Sequence, residues 1–252
     1  MKIAISGKGG VGKTTLAAGL AHYFADRGET VFAVDADPDL NLGTVLGIPD
    51  EMIRNLKPIA DMKEVIAERT GGEGPYFSLN PEVDDLLMKY SIKLNGIHFL
   101  KMGSIKAGGT SCYCRENVVL HAMVGSLLLK HHEVVILDMG AGIEHLTRGT
   151  ARGVDIMMVV SEPSKVSIQS ADVISQLARD IGIEEVRFVG NKVRNEKEEN
   201  LLTRTWGDRL IGIIHHSEEV IDGAREGSFK SDPRFREEVK RIGDFISSHC
   251  AP

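Results

Sequence analysis

The sequence predicts an α/β fold, a doubly wound and mainly parallel sheet of about seven or eight strands flanked by helices. Short runs rich in β-branched residues alternate along the chain with longer amphipathic stretches. Runs such as "VVILD" and "IMMVV" are apolar throughout, which is typical of parallel strands buried on both faces. This pattern predicts strands over residues 2–6, 30–34, 98–102, 134–138, 156–160, 186–190 and 209–214.

Helices are predicted between several of these strands by the spacing of apolar residues. Leu16, Leu20 and Phe24 recur at intervals of four residues after the first strand, and Gly28 is placed to end that helix. The same spacing predicts a helix over residues 116–130. Helices in these connections carry the chain from one parallel strand to the next.

Residues 43–95 interrupt the alternation of strands and helices. This stretch contains charged, helix-like text ("DMKEVIAERT") and a glycine-rich break ("GGEGP"). We interpret it as a helical insertion over the ligand-binding edge of the sheet, and a separate small domain is the alternative. Residues 1–252 are therefore predicted to form a single domain with one insertion.

Composition and charge argue against several classes of partner. The chain has 36 acidic against 30 basic residues, a formal net charge of −6, and no basic stripe of the kind that binds nucleic acid. No apolar run approaches the roughly 18 residues of a transmembrane helix, and no signal-peptide pattern precedes the first strand. We expect a cytoplasmic protein without nucleic-acid or membrane partners, whose three cysteines do not form structural disulfides.

The stretch "GKGGVGKTT", residues 7–15, matches the phosphate-loop (P-loop) pattern G-x-x-x-x-G-K-[ST] between a predicted strand and a predicted helix. Glycines let the backbone point its N–H groups at phosphate oxygens, and the helix N-terminus adds positive potential. Lys13 is expected to reach the β- and γ-phosphates, and the Thr14 hydroxyl to bind Mg²⁺. The predicted nucleotide-binding residues of this loop are Gly9, Gly10, Val11, Gly12, Lys13, Thr14 and Thr15.

A second lysine, Lys8, lies inside the loop. With it, "KGGVGKTT" resembles the deviant Walker A loop of the ATPase class that contains the nitrogenase iron protein, MinD/ParA-type positioning ATPases and metallocentre-assembly ATPases. In that class the additional lysine crosses a dimer interface to the partner's nucleotide. The resemblance implies an ATP-dependent homodimer in which Lys8 acts in trans, and the alternative is a solvated loop lysine.

Other positions match the same class. The resemblance implies that Asp37 of "DADPDLN" orients or deprotonates the attacking water and that Asp138 of "VVILDMGAG" is the Walker B carboxylate near Mg²⁺. Gly140 would offer its N–H to the γ-phosphate, and Asn191 would contact adenine. Arg194 stands where the guanine-reading pattern Asn-Lys-x-Asp has aspartate, which favours ATP over GTP. The text after the last strand departs from the class pattern, so no base contact is assigned there.

The stretch "GGTSCYCREN" places Cys112 and Cys114 two residues apart, directly before a predicted helix. Thiols at this spacing in an extended segment face the same side, and a helix N-terminus lowers a thiol pKa. A closed metal site usually needs four ligands, which two chains of a dimer would supply. A redox disulfide and simple core cysteines are the alternatives, and Cys250 in the C-terminal tail is interpreted as incidental.

Together, these features resemble the nickel-insertion accessory ATPases of carbon monoxide dehydrogenase, the CooC type, over nearly the whole chain. The resemblance implies ATP hydrolysis coupled to the binding and release of Ni²⁺, with the dehydrogenase as client. Four thiolates also suit Zn²⁺, so the residues do not identify the metal.

Two other functions remain open from the sequence. An iron–sulfur carrier or reductase like the nitrogenase iron protein also bridges a dimer with two cysteines per chain, although those cysteines are far apart in sequence. A MinD/ParA-type positioning ATPase that binds membranes needs a basic amphipathic C-terminal helix. The tail here has an apolar face with mixed charges opposite it, so we expect that face to dock on the protein's own core.

Overall fold

The computed structural model describes residues 1–37, 39–71, 78, 81–103, 115–129, 133–143, 146 and 151–250. The strands are β1 Lys2–Gly7, β2 Val31–Ala36, β3 Ile92–Leu94, β4 Ile97–Lys101, β5 Val134–Met139, β6 Ile156–Ser161, β7 Val186–Val193 and β8 Leu210–His215. The α-helices are α1 Lys13–Asp26, α2 Leu42–Val45, α3 Asp50–Asn55, α4 Lys63–Thr70, α5 Asp84–Lys89, α6 Arg115–Leu129, α7 Lys165–Asp180, α8 Glu196–Trp206, α9 Glu218–Glu226 and α10 Pro233–His249.

The strands form one eight-stranded sheet in the order β3-β4-β2-β5-β1-β6-β7-β8. All neighbouring strands are parallel except β3 and β4. The predicted doubly wound, mainly parallel sheet is therefore confirmed, and each of the seven predicted strands is present with its bounds shifted by three residues or fewer. The strand that was not predicted is β3, a short antiparallel edge strand.

Helices cover both faces of the sheet and bury a separate apolar cluster on each. Alternate residues of β1 point to opposite faces, so Ala4 packs with the cluster that includes α6 and α7. Ile3 and Ile5 pack with the cluster that includes α1 and α10. The predicted helices match α1 and α6, and Gly28 follows α1 in the left-handed conformation that glycine adopts most readily (φ 84°).

The last helix, α10, packs on the protein itself. Its apolar residues Phe235, Val239, Ile242 and Ile246 are buried in the cluster that also contains α1. This confirms the expectation that the apolar face of the tail docks on the core. Among the described residues, none of the helices combines the length and apolar character needed to cross a bilayer.

Residues between β2 and β4 form α2, α3, α4, α5 and β3, and this region is fastened to the end of β4. The buried Lys101 ammonium donates hydrogen bonds to the carbonyls of Ile53 at 2.6 Å and Leu56 at 3.3 Å. The Ala60 N–H donates to the Met102 carbonyl at 3.1 Å. These bonds hold this part of the chain beside the end of β4.

Candidate functional site

The predicted nucleotide-binding residues that the structure describes meet at the carboxyl edge of the sheet, because parallel strands end on the same side. β1 leads into the phosphate loop, Asp37 follows β2, and Asn191 lies near the end of β7. In the sheet register Asp138 on β5 is beside Ile5 of β1 on one side and Asp35 of β2 on the other. The fold thus brings together residues that are up to 184 positions apart, from Gly7 to Asn191.

The phosphate loop turns through glycines and opens into α1. Gly10 and Gly12 have φ of 80° and 95°, in the left-handed region that favours glycine. Within the described part of the chain, no side chain caps the N-terminus of α1, which begins at Lys13. The first N–H groups of this helix are available for an anion, as phosphate binding at a helix N-terminus requires.

The Lys13 ammonium lies between the phosphate loop and the carboxylate that follows β2. It is 3.8 Å from Asp37 Oδ2 and donates to the Lys8 carbonyl at 3.5 Å. Lys13 is 6% exposed and the Asp37 side chain 18%, so both charges face the site with little water around them. Lys8 itself is exposed on the surface of the loop, where its side chain is accessible to a second chain.

Asp35 organises the turn that carries Asp37. Its two carboxylate oxygens accept hydrogen bonds from the N–H groups of Asp37 at 3.3 Å and Leu42 at 2.9 Å. Asp37 Oδ1 in turn accepts the Asp39 N–H at 3.0 Å. One oxygen of Asp37 is therefore used to shape its own turn, and the other faces Lys13.

The Asp138 carboxylate is fully buried next to the loop. Burial raises the pKa of Asp138 to about 7, although the Thr14 hydroxyl and the Lys13 ammonium partly oppose this shift. Burial, together with the negative charge of Asp138, raises the pKa of Asp35 to about 8. Among the described residues, neither oxygen of Asp138 has a hydrogen-bond partner of standard geometry. A buried carboxylate that lies beside a threonine hydroxyl, with no hydrogen bond of standard geometry from the described residues, fits a hard cation such as Mg²⁺.

The loop after β5, which contains Gly140, is tied to β1. The buried Ser6 hydroxyl lies 3.1 Å from the carbonyl oxygens of both Gly140 and Gly142 and donates toward them. Sequence reasoning missed Ser6, since a serine inside an apolar strand carries no local signal for this role. The bond places Gly140 directly next to the strand that feeds the phosphate loop.

Asn191 is packed against the back of the phosphate loop. Its Nδ2 donates to the Val11 carbonyl at 2.7 Å, and a Cβ added at Gly12 would lie 2.1 Å from the same nitrogen. Asn191 also lines a cavity of about 300 Å³ bounded by Gly12 and Thr15 on one side and by the residues after β8 on the other. A cavity of this size beside the phosphate loop is large enough for a nucleotide base.

The histidine pair at the end of β8, His215 and His216, lines this cavity. His215 is fixed by Glu238 of α10, whose two oxygens lie 2.7 Å from Nδ1 and 3.0 Å from the backbone nitrogen. His216 Nε2 lies 2.9 Å from the Glu218 carboxylate. Both side chains are thus held by carboxylates at the wall of the cavity.

The predicted metal ligands Cys112 and Cys114 lie outside the described residues. Helix α6 begins at Arg115, directly after them, as expected. Cys250 lies near Asp155, Glu185 and the N-terminus, at the opposite edge of the sheet from the phosphate loop, and burial together with the two carboxylates raises the pKa of its thiol. Within the described ranges no three histidine, cysteine or acidic side chains cluster as metal ligands.

Gly12→Ala is expected to lower the free energy of unfolding of the nucleotide-free protein by at least about 1 kcal/mol. The new methyl group would be forced into a left-handed backbone and onto Asn191. Gly9→Ala is the matched control, because no described atom lies within 4 Å of its Cβ position, and we expect a change within about 0.5 kcal/mol. Urea unfolding of both variants measures the difference, and equal stabilities would contradict the close packing of Asn191 on the loop.

Comparisons with known proteins agree with this geometry. The family described as "CobQ/CobB/MinD/ParA nucleotide binding domain" matches residues 2–229. The chain is 43% identical to the carbon monoxide dehydrogenase accessory protein CooC of Rhodospirillum rubrum, over 100% of this chain and 98% of the relative. It is 40% identical to an uncharacterized ATP-binding protein of Methanocaldococcus jannaschii, over 98% and 97% of the two chains.

The fold also matches solved structures. The septum site-determining protein MinD of Pyrococcus horikoshii, complexed with Mg-ADP, superposes with a TM-score of 0.68 at 19% identity. The match covers 97% of this chain and 94% of the other. The sheet and its helices therefore have the architecture of a MinD-type P-loop protein.

Proposed function

Because the chain belongs to the CobQ/CobB/MinD/ParA nucleotide-binding family, within the group that includes CooC, we propose that it is an ATP-hydrolysing metallochaperone that assists nickel insertion into carbon monoxide dehydrogenase. In this proposal residues 1–252 form one ATPase domain. The observation that carries it is the convergence of Lys13, Asp37 and Asp138 around the phosphate loop at one edge of the sheet.

The hydrolytic step uses residues that surround the loop. N–H groups of the loop and the Lys13 ammonium bind the β- and γ-phosphates. Asp37 orients the attacking water and accepts its proton as the water oxygen bonds to the γ-phosphorus. The bond from that phosphorus to the bridging oxygen breaks, so ADP and phosphate are the products. The Thr14 hydroxyl, with Asp138 nearby, would hold Mg²⁺, and the cation would supply positive charge to the phosphoryl oxygens.

In this proposal a homodimer completes both the nucleotide site and the metal site. The exposed position of Lys8 on the loop suits a contact with nucleotide bound to the partner. Asn191 and the cavity beside it suit the adenine base, and Gly140 suits a contact with the γ-phosphate. The name of the R. rubrum relative supports carbon monoxide dehydrogenase as the client.

The cargo metal is proposed to bind between two chains. Cys112 and Cys114 directly precede α6, whose N-terminus favours thiolates. Two such pairs on the symmetry axis supply four thiolates, a set that suits Ni²⁺ or Zn²⁺. ATP-driven closure of the dimer would change the separation of the pairs and so the affinity for the metal.

The test is Ni²⁺ affinity measured with no nucleotide, with ADP and with a non-hydrolysable ATP analogue. We expect at least about a fivefold difference between the ADP and analogue states, the lower end of ordinary coupling between sites. Molecular mass is measured in the same samples and should show a dimer in the metal-bound state. Equal Ni²⁺ affinities in all three states would refute the coupling between nucleotide and cargo.

A further inference from the structure

Two consecutive side chains at the carboxyl end of β7 donate hydrogen bonds to backbone carbonyls of the phosphate loop. Asn191 donates to the Val11 carbonyl at 2.7 Å, and Lys192 Nζ donates to the Gly10 carbonyl at 2.6 Å. We propose that Lys192 is a positioning residue that fixes the Gly10 peptide in the orientation needed for phosphate binding. This inference rests on the proposed nucleotide-binding function and adds a residue to it.

The bond acts through the rigidity of the peptide group. A trans peptide is planar, so its N–H points away from its C=O. A donor that holds the Gly10 carbonyl from behind therefore fixes the direction of the Val11 N–H, which makes a long bond of 3.4 Å to the Lys8 carbonyl. Phosphate-binding loops work because successive N–H groups converge on the anion and the carbonyls point away from it.

Packing does not supply this orientation at Gly10. Its φ of 80° lies in the left-handed region, which glycine adopts readily because it has no side chain. Among the described residues, no atom lies within 4 Å of the position that a Cβ added at Gly10 would take. The peptide on this open side of the loop would be free to rotate without an external bond. Lys192 provides that bond from the neighbouring strand β7.

Lys192 is itself held in an unusual conformation. Its φ of 57° is in the left-handed region, which is disfavoured for a lysine, and its N–H donates to Asn191 Oδ1 at 2.8 Å. The pairing of β7 with β8 shifts register between Gly190 and Val193. Such bulges redirect side chains next to functional sites, and here the bulge turns Lys192 toward the loop.

Glu162 keeps the ammonium in place. Its Oε1 lies 2.6 Å from Lys192 Nζ, and its N–H donates to Ser167 Oγ at 3.0 Å, which anchors it between β6 and α7. The two side chains are 40% and 34% exposed, so the ion pair adds little stability by itself. Its effect is to hold the lysine at the Gly10 carbonyl, so that removing it should affect ligand binding more than folding.

The experiment measures Mg²⁺–ADP binding by calorimetry and ATP hydrolysis by steady-state kinetics. Lys192→Met should weaken ADP binding and raise the KM for ATP about tenfold, as expected for the loss of a hydrogen bond from a charged donor, while kcat stays within about threefold. Lys192→Arg should restore most of the affinity. The control Lys197→Met replaces an exposed lysine of α8 and should change none of these values.

Two further measurements separate positioning from folding. The melting temperature of Lys192→Met without nucleotide should stay within about 2 °C of the wild type. Glu162→Gln should weaken ADP binding alone but have no further effect in the Lys192→Met background. A large drop in melting temperature that the arginine variant does not rescue would make the role structural and overturn the proposal.

The two proposals fail in distinguishable ways. If the wild type does not bind Mg²⁺–ADP, the proposed ATPase function is wrong and this inference falls with it. If the wild type and Lys192→Met bind Mg²⁺–ADP equally tightly, the ATPase function stands and the positioning role of Lys192 is refuted.

Discussion

Replacing Asp37 by asparagine is expected to slow ATP hydrolysis by about 100-fold or more while leaving Mg²⁺–ADP binding within about threefold of the wild type. Asparagine keeps the size of the side chain and can still accept the Asp39 N–H that shapes the turn. It removes the negative oxygen that faces Lys13 at 3.8 Å, and with it the group proposed to orient and deprotonate water. The chemical step is affected because the amide cannot accept the proton.

Asp39→Asn is the matched control for this experiment. Asp39 is exposed, lies two residues further along the same turn, and contributes its backbone N–H to the contact with Asp37. Its neutralisation should change kcat by less than about threefold. If Asp37→Asn lost ADP binding and hydrolysis in the same proportion, Asp37 would be needed for the loop to bind nucleotide and its proposed role toward water would be wrong.

The parts of the fold that local patterns determine could be predicted from the sequence. Continuous apolar strands and the glycine spacing of the phosphate loop are local signals, and the seven strands and the loop are where those signals placed them. The strand β3 was missed because it has three residues, of which Lys93 is exposed. A signal for it was available, since Asn95-Gly96 forms the left-handed turn that joins β3 to β4, with φ of 47° and 83°.

The contacts that organise the site depend on distant parts of the chain, and local patterns do not predict them. Lys192 reaches Gly10 across 182 positions because a bulge in β7 redirects it, and neither residue indicates the other in sequence. Asp35 and Asp138 become neighbours only through the register of β2 and β5. The stretch "FVGNKV" did place Asn191 near a strand end, but Lys192 beside it carries no local signal for a contact with the phosphate loop.

Removing both thiols of the pair, Cys112→Ala together with Cys114→Ala, is expected to lower Ni²⁺ affinity at least about 100-fold. The mutation of groups that merely orient a metal ligand costs about 10- to 100-fold, and here the proposed ligands themselves are lost. The wild type, stripped of metal and kept reduced, should bind one Ni²⁺ per two chains. Equilibrium dialysis with mass measurement gives the affinity and the stoichiometry in the same sample.

Cys250→Ala is the control that shows whether the loss of any cysteine, and not only of the Cys112–Cys114 pair, weakens Ni²⁺ binding. Its thiol lies at the far edge of the sheet, and the environment that raises its pKa disfavours the thiolate, which is the form that binds metal. We therefore expect Cys250→Ala to bind Ni²⁺ as the wild type does. If the protein bound one Ni²⁺ per chain and the double variant retained it, the metal site would lie elsewhere in the chain. The proposed coupling of nucleotide to a metal held by the cysteine pair would then be wrong. One Ni²⁺ per two chains, lost in the double variant alone, would support a site shared by two chains, in agreement with the proposed dimer.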